Sequence, residues 1–248
     1  MKKSDGSLSA FQFNSKNQLE AFKYLKKEWK NRGLVFFYAR NSNEQFSHKE
    51  TFLSPEELSE LNSITIESRR NQYLTSRWML KILLGELLNI KPNEISFIKS
   101  ALGKPQLLNE KHSSIVSFNI SHKTSISVIG ITNKGQIGID VEEVEENDKS
   151  MRIAERYFSV IELAWINQIQ NQAEQNLRFY KVWSMKEAII KAVGGGIFQN
   201  LNDFYIESQI LGFKIKSQKK PWSDVEQWDL FEITLPDNLI GSVAIYNP

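Results

Sequence analysis

Apolar positions recur along the chain at two spacings, and the switch between them marks its elements. Residues 1–33 are mostly polar, with one amphipathic stretch from Leu19 to Trp29. Leu34-Val35-Phe36-Phe37-Tyr38 is β-branched and aromatic and predicts the first strand. Ser54-Pro55-Glu56-Glu57 predicts a helix start: a serine cap, a proline in the first turn and a glutamate three residues after the cap. From Glu67 to Leu88, apolar residues Leu74, Trp78, Leu80, Ile82, Leu84, Leu87 and Leu88 predict one long, mostly buried helix, with Pro92 just beyond its end. Strand-like segments follow at 95–98, 115–120, 126–131 and 137–141. Gly103-Lys104-Pro105 and Asn133-Lys134-Gly135 supply turn chemistry between them.

The pattern then starts again. Helical periods at about 150–158, 160–170 and 173–193 lead to Gly194-Gly195-Gly196, and strand-like segments at 204–207, 213–216, 230–235 and 240–246 close the chain. Each half reads as helices, then one long helix, then a meander of short strands. Tyr73 and Trp78 lie on one long helix, Tyr180 and Trp183 on the other. This predicts an α+β fold with an internal duplication, divided into residues 1–135 and 136–248. The same segments also fit a single α+β domain without a repeat.

Composition narrows the function. Of 248 residues, 31 are Lys or Arg and 29 are Asp or Glu, a net charge of +2, which argues against a polybasic nucleic-acid binder. There is no cysteine, so a thiolate nucleophile, a disulfide and a Cys-ligated zinc are excluded. The start has no apolar leader after its charged residues, and runs such as Leu34 to Ala39 fall far short of the roughly 20 residues that span a bilayer. The expectation is a cytoplasmic protein with no membrane and no nucleic-acid partner.

Three constellations could carry chemistry. In Gly138-Ile139-Asp140-Val141-Glu142, strand alternation turns Ile137, Ile139 and Val141 to one face and Gly138, Asp140 and Glu142 to the other. Two neighbouring carboxylates repel unless a cation or a proton lies between them, and a pair of hard oxygen ligands suits Mg²⁺. A strand edge running into a solvated acidic loop, 142–148, reads the same residues without a metal. In Trp183-Ser184-Met185-Lys186-Glu187-Ala188-Ile189-Ile190-Lys191, helical spacing stacks Trp183, Glu187 and Lys191 on nearly one face. That is a surface Glu–Lys pair or, since the helix is apolar on most sides, a pair of charges in a cleft. In Phe118-Asn119-Ile120-Ser121-His122, adjacent side chains of an extended chain point apart, so a Ser–His relay is not expected. A phosphate or base contact and a structural histidine both remain open. Arg77 lies among apolar residues and needs an anionic partner; Lys104 sits in the Gly-Lys-Pro turn.

In this order, Ser76-Arg77, Gly103-Lys104-Pro105, Asn119-Ile120-Ser121-His122, Gly138-Ile139-Asp140-Val141-Glu142, Tyr157-Phe158-Ser159 with Glu162, and Trp183-Ser184-Met185-Lys186-Glu187 with Lys191 resemble the Sfp-type 4′-phosphopantetheinyl transferases. The resemblance spans roughly residues 55 to 196. It implies two pseudo-symmetric halves, each a long helix on a small antiparallel sheet, acting as one catalytic unit with the site at their interface. It also implies a monomer. The activity it implies is transfer of the 4′-phosphopantetheine arm of coenzyme A to a serine of an apo acyl, peptidyl or aryl carrier protein, with Mg²⁺ as cofactor and 3′,5′-ADP as leaving group. By the same resemblance, Asp140, Glu142 and Glu187 hold the metal. Glu187 is a candidate base, with Glu162 a further one. Lys191 meets the CoA phosphates, assisted by Lys186, and Arg77, Lys104, Ser121 and His122 surround its adenosine and 3′-phosphate end. Glu57 and Leu58 depart from the family, where some members carry basic residues. A non-catalytic module that binds CoA or a carrier protein is the alternative; it would not need the three carboxylates.

Overall fold

The structure is a computed structural model. It describes residues 8–41, 49–101, 103–123, 125–145, 149–194, 201–209, 212–217, 225–237 and 239–247. The expectations placed on Gly195 and Gly196, and on the acidic loop from 146 to 148, lie outside the described residues. In chain order the elements are β1 (Leu8–Ser9), β2 (Phe11–Gln12), α1 (Gln18–Arg32), β3 (Leu34–Arg40), α2 (Pro55–Ser63), α3 (Glu67–Leu88), β4 (Phe97–Lys99), β5 (Pro105–Leu107), α4 (Glu110–Ser113), β6 (Ser117–Lys123) and β7 (Ile126–Thr132). They continue with β8 (Gln136–Glu143), α5 (Lys149–Tyr157), α6 (Val160–Asn167), α7 (Gln172–Ala192), β9 (Tyr205–Gln209), β10 (Gly212–Lys216), β11 (Trp228–Thr234) and β12 (Leu239–Tyr246). Among the described residues no helix is long and apolar enough to cross a membrane.

The chain divides into two compact units, residues 10–134 and residues 135–248 together with the first nine. The first unit holds a sheet in the order β2-β3-β7-β6 and a separate hairpin, β4-β5. β3 pairs antiparallel with β7, and β7 with β6. The helix α3 buries its middle turns, Thr75 through Gly85, in a core with Phe37, Phe118, Ile129 and Ile131. It stops at Asn89, which takes the left-handed conformation at φ 56° that asparagine tolerates at a helix end.

The second unit repeats this plan in the same chain order. Its sheet runs β1-β11-β12-β8, with β8 antiparallel to β12 and β12 antiparallel to β11, and β9-β10 forms the separate hairpin. β8, β12 and β11 thus stand where β3, β7 and β6 stand in the first unit. The parallel outer strand differs: β2 joins β3, while β1 joins β11. Two-residue strands carry no usable alternation, so neither was legible in the sequence.

The duplication reaches individual side chains. Both short helices open on a capping box. Ser54 Oγ accepts from the Glu57 amide while the Glu57 carboxylate accepts from the Ser54 amide at 2.9 Å; Ser159 and Glu162 do the same at 2.7 Å. In each unit the second oxygen of that glutamate, or the same carboxylate, also meets a fully buried lysine of the long helix. Glu57 lies 2.6 Å from Lys81 Nζ and Glu162 lies 3.1 Å from Lys186 Nζ. One constant shift along the chain carries Ser54 to Ser159, Glu57 to Glu162, Trp78 to Trp183 and Lys81 to Lys186.

Candidate active site

Gly138 sets the geometry of the second unit. A Cβ placed on it would fall 1.9 Å from the Ala188 carbonyl oxygen and 2.3 Å from the Ala192 amide nitrogen, so the backbone of α7 lies directly over the strand at this point. Only glycine permits that approach. Strand alternation then turns Asp140 and Glu142 to the same face as Gly138, against α7, while Ile137, Ile139 and Val141 are buried on the other. The helix brings Glu187 and Lys191 to this face, one turn apart.

The charges are in close touch. Lys191 Nζ donates to Asp140 Oδ1 at 2.6 Å, and Ser184 Oγ donates to the Asp140 carbonyl at 3.4 Å. Asp140 and Glu187 are buried, at 4% and 3% exposure, and Glu142 is half-buried. Burial, and then the charge of Asp140, push the Glu187 carboxyl up to about 7; Glu142 adds to the rise and Lys191 opposes it. Glu187 Oε1 is buried without a hydrogen-bond partner, as is Ser242 Oγ on the neighbouring strand β12.

The donor chemistry is of the kind a divalent cation takes: three carboxylates lie within one another's field, and Glu187 Oε1 and Asp140 Oδ2, whose sister Oδ1 holds Lys191, are both buried without a hydrogen bond. Hard oxygen ligands are what Mg²⁺ takes. Among the described residues no group of three or more His, Asp or Glu side chains is gathered closely enough to hold a metal ion, and Asp140 is paired with the Lys191 ammonium. Two clefts of this unit, of about 570 and 750 Å³, are lined by other residues, near Ser159 and near Asn171 respectively. Charge and close backbone approach, not cavity size, mark the chemistry.

Glu162 and Lys186 are placed elsewhere. Both side chains are fully buried. Lys186 Nζ donates to the Leu201 and Phe204 carbonyls at 2.8 Å each, and with Glu162 at 3.1 Å its three donors are matched. Glu162 accepts from the Ile206 amide at 2.8 Å and from the Ser159 amide. The pair ties α6, α7 and β9 together and presents no polar atom to a substrate. These are the two residues expected as a further base and a phosphate contact, and in this structure their polar atoms are engaged with each other and with the backbone.

The first unit holds the remaining candidates. Arg77 is buried, its Nε 3.5 Å from Glu57 Oε1, and its guanidinium lies over the Tyr73 and Phe97 rings at 5.2 and 5.1 Å. Its Nη1 is buried without a hydrogen-bond partner. The anionic partner that Arg77 needs is Glu57, the residue that reads in sequence as a departure. Gly103, at φ 83°, turns the chain so that the Ser100 amide donates to the Lys104 carbonyl at 2.9 Å. Burial pulls the Lys104 ammonium down to about 8. On β6, Ser121 is buried and His122 exposed, so the two point to opposite faces, as strand alternation demands.

Comparison with known proteins agrees with this geometry. Residues 136–239 match the family described as the 4′-phosphopantetheinyl transferase superfamily, and residues 40–133 match the N-terminal region of 4′-phosphopantetheinyl transferases. The chain is 34% identical to the 4′-phosphopantetheinyl transferase gsp of Aneurinibacillus migulanus, over 65% of this chain and 68% of that protein. It is 27% identical to the 4′-phosphopantetheinyl transferase HetI of a Nostoc strain, over 78% of each chain. It is 25% identical to the human L-aminoadipate-semialdehyde dehydrogenase-phosphopantetheinyl transferase, over 79% of this chain and 68% of the human protein.

Proposed function

The chain belongs to the 4′-phosphopantetheinyl transferase family, and from that premise we propose that it moves the 4′-phosphopantetheine arm of coenzyme A onto a serine of an apo carrier protein. The serine oxygen forms a bond to the phosphorus attached to the pantetheine. The pyrophosphate P–O bond breaks and 3′,5′-ADP leaves with the bonding electrons. The serine proton passes to a base.

Phosphoryl transfer asks chiefly for position and charge. Lys191 supplies a cation beside Asp140, on the face where the pyrophosphate must be neutralised. Glu187 is the candidate base; in the metal-free site burial and the charge of Asp140 push its carboxyl up to about 7. Asp140, Glu142 and Glu187 would hold Mg²⁺, which when bound spreads the charge of the phosphates. Arg77, Lys104, Ser121 and His122 are assigned to the adenosine and 3′-phosphate end of CoA, with Arg77 partly neutralised by Glu57. Glu162 and Lys186 are assigned to the fold.

The grouping of Asp140, Glu142, Glu187 and Lys191 beneath the helix over Gly138 is the observation that carries this reading. Incubation with CoA, Mg²⁺ and a panel of apo acyl and peptidyl carriers tests it by intact mass. One phosphopantetheinyl group added to at least one carrier is expected; no gain on any carrier contradicts it.

A further inference from the structure

We infer that Ser242 is a positioning residue of the carboxylate site, its hydroxyl held beside Asp140 to orient that carboxylate when a divalent cation binds. The inference rests on the metal reading above and adds a member that no sequence motif marks. Ser242 and Asp140 are direct partners in the β12–β8 ladder. Residues opposed in an antiparallel ladder project to the same face with Cβ atoms about 4.5–5.5 Å apart. Along this face the ladder also pairs Ala244 with Gly138 and Ile240 with Glu142. It is the face that α7 covers, as the contacts of Gly138 establish.

Ser242 is wholly buried there, and its Oγ has no hydrogen-bond partner. The other side chains of β12 on this face, Ile240 and Ala244, are apolar and pack into the core with α7. Packing alone would be met as well by an alanine. An orphaned buried hydroxyl is destabilising relative to a methyl group, so its presence opposite Asp140 needs a reason outside the metal-free fold. Glu187 Oε1 is orphaned at the same site. Both orphans are explained if the site is completed by a cation: Glu187 gains a ligand, and Asp140, drawn between Lys191 and the cation, gains a donor in Ser242. Partners that orient a ligating carboxylate commonly change metal affinity by 10–100-fold when removed.

The test compares the parent chain with Ser242→Ala, without CoA. Mg²⁺ binding is followed by calorimetry, Mn²⁺ binding by spin resonance, and thermal melting is measured without metal. The expected result is about tenfold weaker binding of both ions by Ser242→Ala, with a metal-free melting temperature equal to or above that of the parent. Equal affinity in the two proteins overturns the inference and leaves the metal reading standing. Absence of binding by the parent protein overturns the metal reading and this inference with it. Ser242→Thr and Ser242→Val have the same shape and differ by the hydroxyl alone, so they settle the matter if the alanine variant folds poorly. The threonine variant should bind more tightly than the valine variant, and equal binding by the two contradicts the role.

Discussion

Glu187 has its ionisation set by three neighbours and its own burial, and this gives a signed pH dependence. Its carboxyl is raised from an ordinary 4.5 to about 7. A raised carboxyl binds its proton more tightly in the folded state, so the stability it contributes is present below pH 4.5 and lost as pH rises through 7. Metal-free protein should therefore melt higher from this group at pH 6 than at pH 8. Glu187→Gln, neutral at both, should raise the melting temperature at pH 8 and change it little at pH 5. An equal effect at both pH values would show that the charge is not buried among carboxylates. The same competition predicts that Mg²⁺ binds more weakly below pH 7, where it must displace a proton. Asp140, Glu142, Glu187 and Lys191 were legible because strand and helix periods each place their residues on one face. Glu57 was not legible as a counter-ion. Its value lies in the meeting of α2 with Arg77 and Lys81 on α3, which no local pattern records. The Lys186–Glu162 ion pair was not legible for the same reason: it depends on α6 meeting α7, which neither motif records.

Among the elements, the long helices were the most legible. The apolar run from Glu67 to Leu88 has the bounds of α3 itself, and 173–193 differs from α7 by one residue at each end. The strand after the Gly-Lys-Pro turn, β5, was hidden, since turn residues mask a three-residue strand. Two predictions belong here. Gly138→Ala would drive a methyl group into the backbone of α7. Overpacking of this kind costs about 1–3 kcal/mol, and denaturant unfolding together with Mg²⁺ affinity should both register it. An unchanged midpoint would mean that the helix does not rest on the strand. The Glu162–Lys186 pair predicts non-additivity. Lys186→Met strands a buried carboxylate and should cost about 3–5 kcal/mol. Adding Glu162→Gln, which removes the stranded charge and keeps one acceptor oxygen for either the Ser159 or the Ile206 amide, should recover part of that loss and of the transferase activity. If stability returns and activity does not, Glu162 takes part in the chemistry.

For the whole chain, sequence order and structure agree on a repeated plan. Each unit is built as strand, short capped helix, long helix, hairpin and two further strands. In the first unit the position equivalent to Glu187 is Ile82, and the same shift that aligns the clamps aligns these two. Both copies therefore keep the glutamate–lysine clamp, while the helical carboxylate is found in one copy. A feature common to both units belongs to the fold, and a feature of one unit belongs to its task. The net charge of +2 is a small remainder of large local charges: carboxylates on β8 and α7, cations at Arg77, Lys104 and Lys191.

Asp140 and its neighbours are the groups to which the transfer is assigned. Intact-mass measurement of an apo carrier protein, incubated with CoA and either the parent chain or Asp140→Asn, addresses it directly. With Mg²⁺ the parent should add one phosphopantetheinyl group. That addition should vanish in the presence of a chelator, and with Asp140→Asn even where the variant melts like the parent. Transfer by Asp140→Asn at the parent rate, or transfer undiminished by the chelator, would contradict the assignment.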